Sequence, residues 1–239
     1  MNYSLFEWTE EAVKRFWDYE SQFPQNYFTF QCGNFLIKRF KKYFMNNTRI
    51  LDYGSGPGFL IPHLLHKKIT VTALEFSQKS LTLINEKFSG KEGFAGAYST
   101  DELFIQKSQF DTITLIEVIE HLDDHYLNVT FENIQKLLKN DGVLIITTPN
   151  DEDLSKSYIL CPETNTLFHR WQHLRSWNAG TLRKYLEESG FRIIKMNPTD
   201  FNFGSLKRFY IEIKNLIKKL LHIQPSKPPH LYCIATLKK

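Results

Sequence analysis

The chain has 239 residues, 42% of them hydrophobic and 15% aromatic, which is enough to bury the core of one sizeable domain and short for two. Its formal net charge of +4 suits an anionic substrate without demanding nucleic acid. Cys32, Cys161 and Cys233 are scattered, so neither a zinc site nor a disulfide framework is suggested; no apolar run makes a signal core or a membrane span, and a cytoplasmic chain is expected.

Residues 5–44 read as helical. Ala12, Val13, Phe16, Trp17 and Tyr19 mark one apolar stripe, and Phe35, Leu36, Phe40, Tyr43 and Phe44 a second, with an aromatic loop over residues 23–31 between them. At Ile50–Leu60 an apolar run ends in Asp52 and breaks into Gly54, Gly56 and Gly58. That pattern predicts a buried strand, a tight turn and a helix start, the first unit of a doubly wound α/β sheet. Glycine serves such a turn because it accepts positive φ and lets a ligand touch bare backbone near a helix amino end. A helix over 59–66 and a strand over 69–75 follow, the strand ending in Glu75. An acid there accepts hydrogen bonds from ribose hydroxyls in a dinucleotide-type crevice.

Ser77 predicts an N-cap for a helix carrying Leu81, Ile84 and Phe88, and residues 90–97 a short third strand. Asp111–Ile116 reads as the central fourth strand, ending at Glu117-Val-Ile-Glu120-His121. Ligands of open parallel sheets sit outside the carboxyl ends of strands, so this stretch faces the reacting centre. A helix over 126–139, closed by Asn140-Asp-Gly142, leads into strand five at 142–148. Residues 151–166 read as a long polar excursion, ending in a stretch from Leu167 to Trp177 crowded with His169, Arg170, Trp171, His173 and Arg175. A helix over 178–190 and a strand over 191–196 come next. Residues 205–221 predict an amphipathic helix with a basic face that packs on its own domain or touches a membrane surface. Pro225–Pro229 turns the chain into a last strand over 231–237.

The Asp52-x-Gly54-x-Gly56-x-Gly58 motif, with Glu75 about twenty residues on, resembles the first motif of class I S-adenosylmethionine (SAM) dependent methyltransferases. The resemblance spans residues 48–192, and the Glu117–His121 segment is similar to Glu-Val-Leu-Glu-His in a branch that includes ubiquinone-pathway O-methyltransferases. It implies an α/β fold: a Rossmann-like seven-stranded, mostly parallel sheet with an antiparallel last strand at the sheet end. The expected layout is one domain, with a helical cap (1–46), core (47–197), helical insertion (198–229) and last strand (230–239). SAM is the implied cofactor, held by Asp52, Gly54, Gly56, Gly58, Glu75, Phe76, Thr100, Asp101 and Glu117. The leading helices would fold over it, bringing Tyr27 or Phe30 near the pocket. His121, Glu120 and His173 are the expected catalytic residues, and His169, Arg170, Trp171 and Arg175 would hold the acceptor. A divalent metal is not favoured; its ligands would be Glu117, Glu120, His121 and His173. The implied acceptor is a small or carbohydrate-like, possibly anionic hydroxyl compound of surface-glycan biosynthesis. Alternatives are a ubiquinone-like or lipid substrate, RNA 2′-hydroxyls, and a catalytically silent SAM-binding partner.

Overall fold

A computed structural model describes residues 3–45, 48–65, 69–105, 109–201 and 227–238. The strands are β1 Ser4–Leu5, β2 Arg49–Tyr53, β3 Thr70–Leu74, β4 Phe94–Tyr98, β5 Phe110–Ile116, β6 Leu138–Pro149, β7 Tyr158–Cys161, β8 Thr166–His169, β9 Phe191–Thr199 and β10 His230–Leu237. The α-helices are α1 Glu10–Glu20, α2 Phe28–Arg39, α3 Ile61–Leu65, α4 Gln78–Phe88, α5 Thr100–Ile105, α6 Asp124–Leu137 and α7 Ala179–Glu188.

Seven strands form one sheet in the order β4-β3-β2-β5-β6-β10-β9. Pairing is parallel from β4 through β6, while β10 runs antiparallel to both of its neighbours. Successive strand residues point to opposite faces, and the sequence exploits this on both sides. Ile50, Val71 and Ala73 pack with Leu36 of α2, Leu64 of α3 and Ile84 of α4. Leu51, Ile113 and Leu115 pack on the other face with Phe131 and Ile134 of α6 and Leu182 of α7. The strand order reverses between β2 and β5, and the crevice at that switch point lies outside their carboxyl ends, where β2 ends in the glycine turn.

Several expectations change in detail. β10 lies one strand in from the edge, between β6 and β9, rather than at the sheet end. Residues 140–142 do not close α6: its C-cap is Leu138, whose extended backbone already begins β6. Apolar Leu137 and Leu138 fit a helix face or a strand equally well, so periodicity placed the boundary too late. The excursion at 151–166 is not irregular, since β7 and β8 form a hairpin that β1 extends to a three-stranded sheet. Within the aromatic loop, Phe28 already starts α2. The 205–221 helix lies outside the described residues. Among those described, no helix is long and apolar enough to cross a membrane.

Candidate active site

The glycine turn after β2 takes the conformation its composition anticipates: Gly54, Gly56 and Gly58 have φ of 73°, 53° and 78°. At Gly58 a Cβ would lie 2.9 Å from Ile61 Cδ1 and 3.0 Å from Ile84 Cγ1, so this glycine admits close helix packing. Gly56 faces the crevice instead. Its N–H donates to Glu75 Oε2 at 2.7 Å, and the N–H groups of Phe76 and Ser77 donate to Glu75 Oε1 at 2.9 Å each. The carboxylate thus ties the end of β3 to the turn after β2. Asp52 does not line the crevice; its Oδ1 accepts from Thr114 Oγ1 at 2.8 Å, linking β2 to β5. Burial lifts its carboxyl to about 7 against that hydrogen bond.

One cavity of about 820 Å³ opens from this turn. Gly54, Gly56, Glu75, Phe76, Thr100, Asp101 and Glu117 line it, as do Glu120, His121, Trp171 and His173. Its roof is α1. Asp18 accepts from Ser77 Oγ at 2.6 Å, and Glu10 accepts from the Tyr126 hydroxyl at 3.1 Å. Trp17 Nε1 donates to Gln172 Oε1 at 3.0 Å. Tyr27 sits over the turn, 2.8 Å from where a Gly56 Cβ would lie. Of the two pocket aromatics considered from sequence, Tyr27 lines the cavity and Phe30 does not.

The β5 carboxyl end brings three titratable side chains to the cavity, Glu117, Glu120 and His121. Glu117 has φ of 51°, a strained conformation costing about 1–3 kcal/mol in a non-glycine residue. Its Oε2 lies 3.4 Å from His230 Nδ1, and its buried Oε1 has no hydrogen-bond partner among the described residues. Burial disfavours the charged form of His230, but the Glu117 carboxylate beside it outweighs burial and raises the imidazole above its ordinary range. Glu120 accepts from Thr148 Oγ1 at 3.0 Å, and its Oε1 has no hydrogen-bond partner among the described residues. Burial, then the charge of Glu117, pushes Glu120 well above the usual carboxylate range. His121 is lowered to about 3, chiefly by burial and then by His173, so it is neutral at physiological pH. Its Nε2 is 3.9 Å from Glu120 Oε1, and its ring packs edge-on against Trp17 and His173.

Gln172 fastens the 167–177 stretch to this centre. It is fully buried with φ of 60°, and its Nε2 donates to the His121 carbonyl at 3.0 Å. The structure therefore brings His173 to Glu120 and His121, with one ligand-type atom from each within 4.8 Å of the others. Glu117 falls outside that group.

Three expected acceptor contacts are corrected. Arg175 does not line the cavity; it donates to the Leu122 carbonyl and to Asp124. Arg170 is exposed, resting over Trp171, and His169 is buried below the surface, so of that set only Trp171 reaches the cavity. Glu152, Gln172 and His230 were missed. Glu152 follows the carboxyl end of β6, and His230 opens an antiparallel strand, which places both at the ligand rim of the sheet.

The doubly wound sheet, the glycine turn and the carboxyl-end acids define a Rossmann-like methyltransferase fold. A family model described as a methyltransferase domain matches residues 18–196, and the chain belongs to that family. It is similar to the ubiquinone biosynthesis O-methyltransferase of Pelagibacter ubique, 28% identical over 118 residues, which covers 48% of this chain and 47% of the relative. The chain spans about half the length of such curated relatives. Among solved structures it resembles a S-adenosylmethionine-dependent methyltransferase from Clostridium acetobutylicum, with a TM-score of 0.62, 16% identity, and 95% and 100% of the two chains covered. Burkholderia thailandensis 1,6-didemethyltoxoflavin-N1-methyltransferase, solved with bound 1,6-didemethyltoxoflavin and S-adenosylhomocysteine, gives a TM-score of 0.66 at 14% identity, covering 100% of this chain and 94% of that one.

Proposed function

We propose that this chain is a SAM-dependent methyltransferase acting on a hydroxyl of a small, ring-bearing acceptor, carbohydrate-like and of the kind used in cell-surface glycan biosynthesis. The single observation that carries the reading is the shared cavity: the glycine turn and Glu75 open into the same space as Glu120, His121 and His173. The donors fit a cationic nucleoside cofactor. One buried oxygen each of Glu117 and Glu120 lacks a hydrogen-bond partner among the described residues, which favours a positive guest beside them. Gly54, Gly56, Glu75, Phe76, Thr100, Asp101 and Glu117 would hold it, and when bound SAM supplies an electrophilic methyl on a sulfonium.

The protein's own task is alignment and proton removal. Well-oriented reactants can gain on the order of 7–11 kcal/mol from positioning alone. A proton acceptor for a hydroxyl adds about 10²–10⁴-fold; His121 and His173 both line the cavity to serve. Trp8, Trp17, Tyr126 and Trp171 offer flat faces for a ring. Among the described lining residues Lys14 is the one lysine or arginine, so an uncharged ring suits the walls better than an anion. No metal enters this reading. A second reading, an acceptor of the kind found in ubiquinone biosynthesis, which the relatives' names carry, draws on the same walls.

Methyl-labelled SAM, incubated with a panel of nucleotide sugars, free hexoses and catechols, tests the proposal. A labelled methyl ether is expected, with turnover cut about 10²-fold or more in whichever of His121→Ala and His173→Ala removes the base. Absence of micromolar SAM binding, or label found only on amines, contradicts it.

A further inference from the structure

Behind the cavity wall lie two side chains that the reading above does not use, Glu152 and His169. Glu152, just past β6, reaches two histidines of the 169–173 turn: His173 Nδ1 is 2.5 Å from its Oε2, and His169 Nε2 is 3.5 Å from its Oε1, the latter an ion-pair distance outside hydrogen-bond geometry. The two imidazoles stack at 4.5 Å with planes 19° apart. Neither Glu152 nor His169 lines the cavity, whereas His173 does.

The proton positions follow from the hydrogen bonds. His169 Nδ1 accepts the backbone N–H of Trp171 at 3.2 Å and of His173 at 3.1 Å. That nitrogen must present a lone pair, so the ring proton of His169 sits on Nε2, facing Glu152. A nitrogen that keeps its proton is no metal ligand. Glu152, His169 and His173 meet the spacing for an ion, but their hydrogen bonds make them a carboxylate with two imidazole neighbours instead. Burial raises the Glu152 carboxyl, but the imidazoles of His169 and His173 outweigh it and hold the group at about 2. An ionised carboxylate only accepts, so His173 Nδ1 must donate to it. In neutral His173 the lone pair is left on Nε2, the nitrogen turned away from Glu152.

We propose that Glu152 and His169 are positioning residues that fix the tautomer and plane of His173, so that His173 Nε2, rather than His121, takes the acceptor's proton. This rests on the methyl-transfer reading. As the acceptor oxygen bonds to the methyl carbon, the carbon–sulfur pair leaves with sulfur and the hydroxyl proton passes to Nε2. Glu152 then faces an imidazolium, whose charge it stabilises without taking a proton. His121 suits the role less well: burial lowers it to about 3, which makes it a weak base, and among the described residues its buried Nδ1 has no hydrogen-bond partner to orient the ring.

Long-range proton–nitrogen correlation on ¹⁵N-labelled protein, His173 being assigned with His173→Gln, reads the tautomer directly and needs no acceptor. The expected spectrum of the neutral imidazole has His173 protonated on Nδ1 and bare on Nε2. Glu152→Ala should scramble the two tautomers, and Glu152→Gln, whose amide oxygen still accepts from Nδ1–H, should restore the native one. A His173 bare on Nδ1 in the native protein overturns the proposal, as does an unaltered spectrum in a Glu152→Ala variant that still melts cooperatively. Calorimetry with SAM on the same samples reads the methyltransferase proposal separately, so either can fail alone. With the acceptor found active in the panel, Glu152→Ala should lower kcat about 10²-fold or more while KM for SAM holds.

Discussion

Replacing Gly56 by alanine separates what the turn does for the fold from what it does for the ligand. Two penalties apply at this position. A left-handed backbone costs an L-residue roughly 1–2 kcal/mol, and Gly56 has φ of 53°. The new methyl would also stand 2.8 Å from Tyr27 Cε1, so the ring must retreat by about 0.6 Å to reach the 3.4 Å of ordinary contact. Gly90 supplies a control, because its φ is 76° and a Cβ there meets nothing within 4 Å. Both substitutions should therefore lower the melting temperature by a few degrees, since each kcal/mol is worth about 2–4 °C in a chain of this size. Only Gly56→Ala puts a methyl into the cavity. Calorimetry should show SAM affinity weakened at least tenfold, about 1.4 kcal/mol, in Gly56→Ala and unchanged in Gly90→Ala. Equal SAM affinity in the two variants would refute the placement of the ligand at this turn.

Other outcomes follow from the same geometry. Trp171→Ala should raise the acceptor KM, while Arg170→Ala and Arg175→Ala leave it unchanged because neither arginine lines the cavity; steady-state kinetics on the active panel compound decides. Asp123 caps α6 by accepting the Tyr126 N–H at 2.8 Å, and Asp123→Ala should cost about 0.5–2 kcal/mol in a denaturant titration. Asp52 holds its proton in the fold up to about 7, against 3.8 as its ordinary value. The folded form therefore binds the extra proton, and the stability this contributes is full at low pH and declines as pH rises from about 4 through about 7. Melting temperature followed across that window should fall in the native chain and fall less in Asp52→Asn.

Which parts of this molecule were legible in the sequence follows from how local each signal is. The glycine turn, Glu75 and the Glu117–His121 segment each state their role within a dozen residues, by positive φ or by position at a strand end, and the structure gathers them around one cavity. Strand alternation likewise separates Ile50 from Leu51, and each packs in its own layer. The 167–177 stretch misled because a crowd of polar side chains says nothing about which way each one points. A left-handed residue at Gln172 and a half-buried Glu152 decide that, turning His169 inward and leaving Arg170 exposed. The hairpin at 158–169 carries few apolar alternations, and its partner strand is β1, far away in sequence. Pairing at that distance leaves no local trace.

The most direct measurement is a crystal structure of the protein grown with S-adenosylhomocysteine. The expected density has the ribose hydroxyls against the Glu75 carboxylate and the sulfur end beside Glu117, with Tyr27 moved off Gly56. A nucleoside bound elsewhere, or a cavity that stays empty at saturating ligand while Tyr27 remains on the turn, would contradict the account.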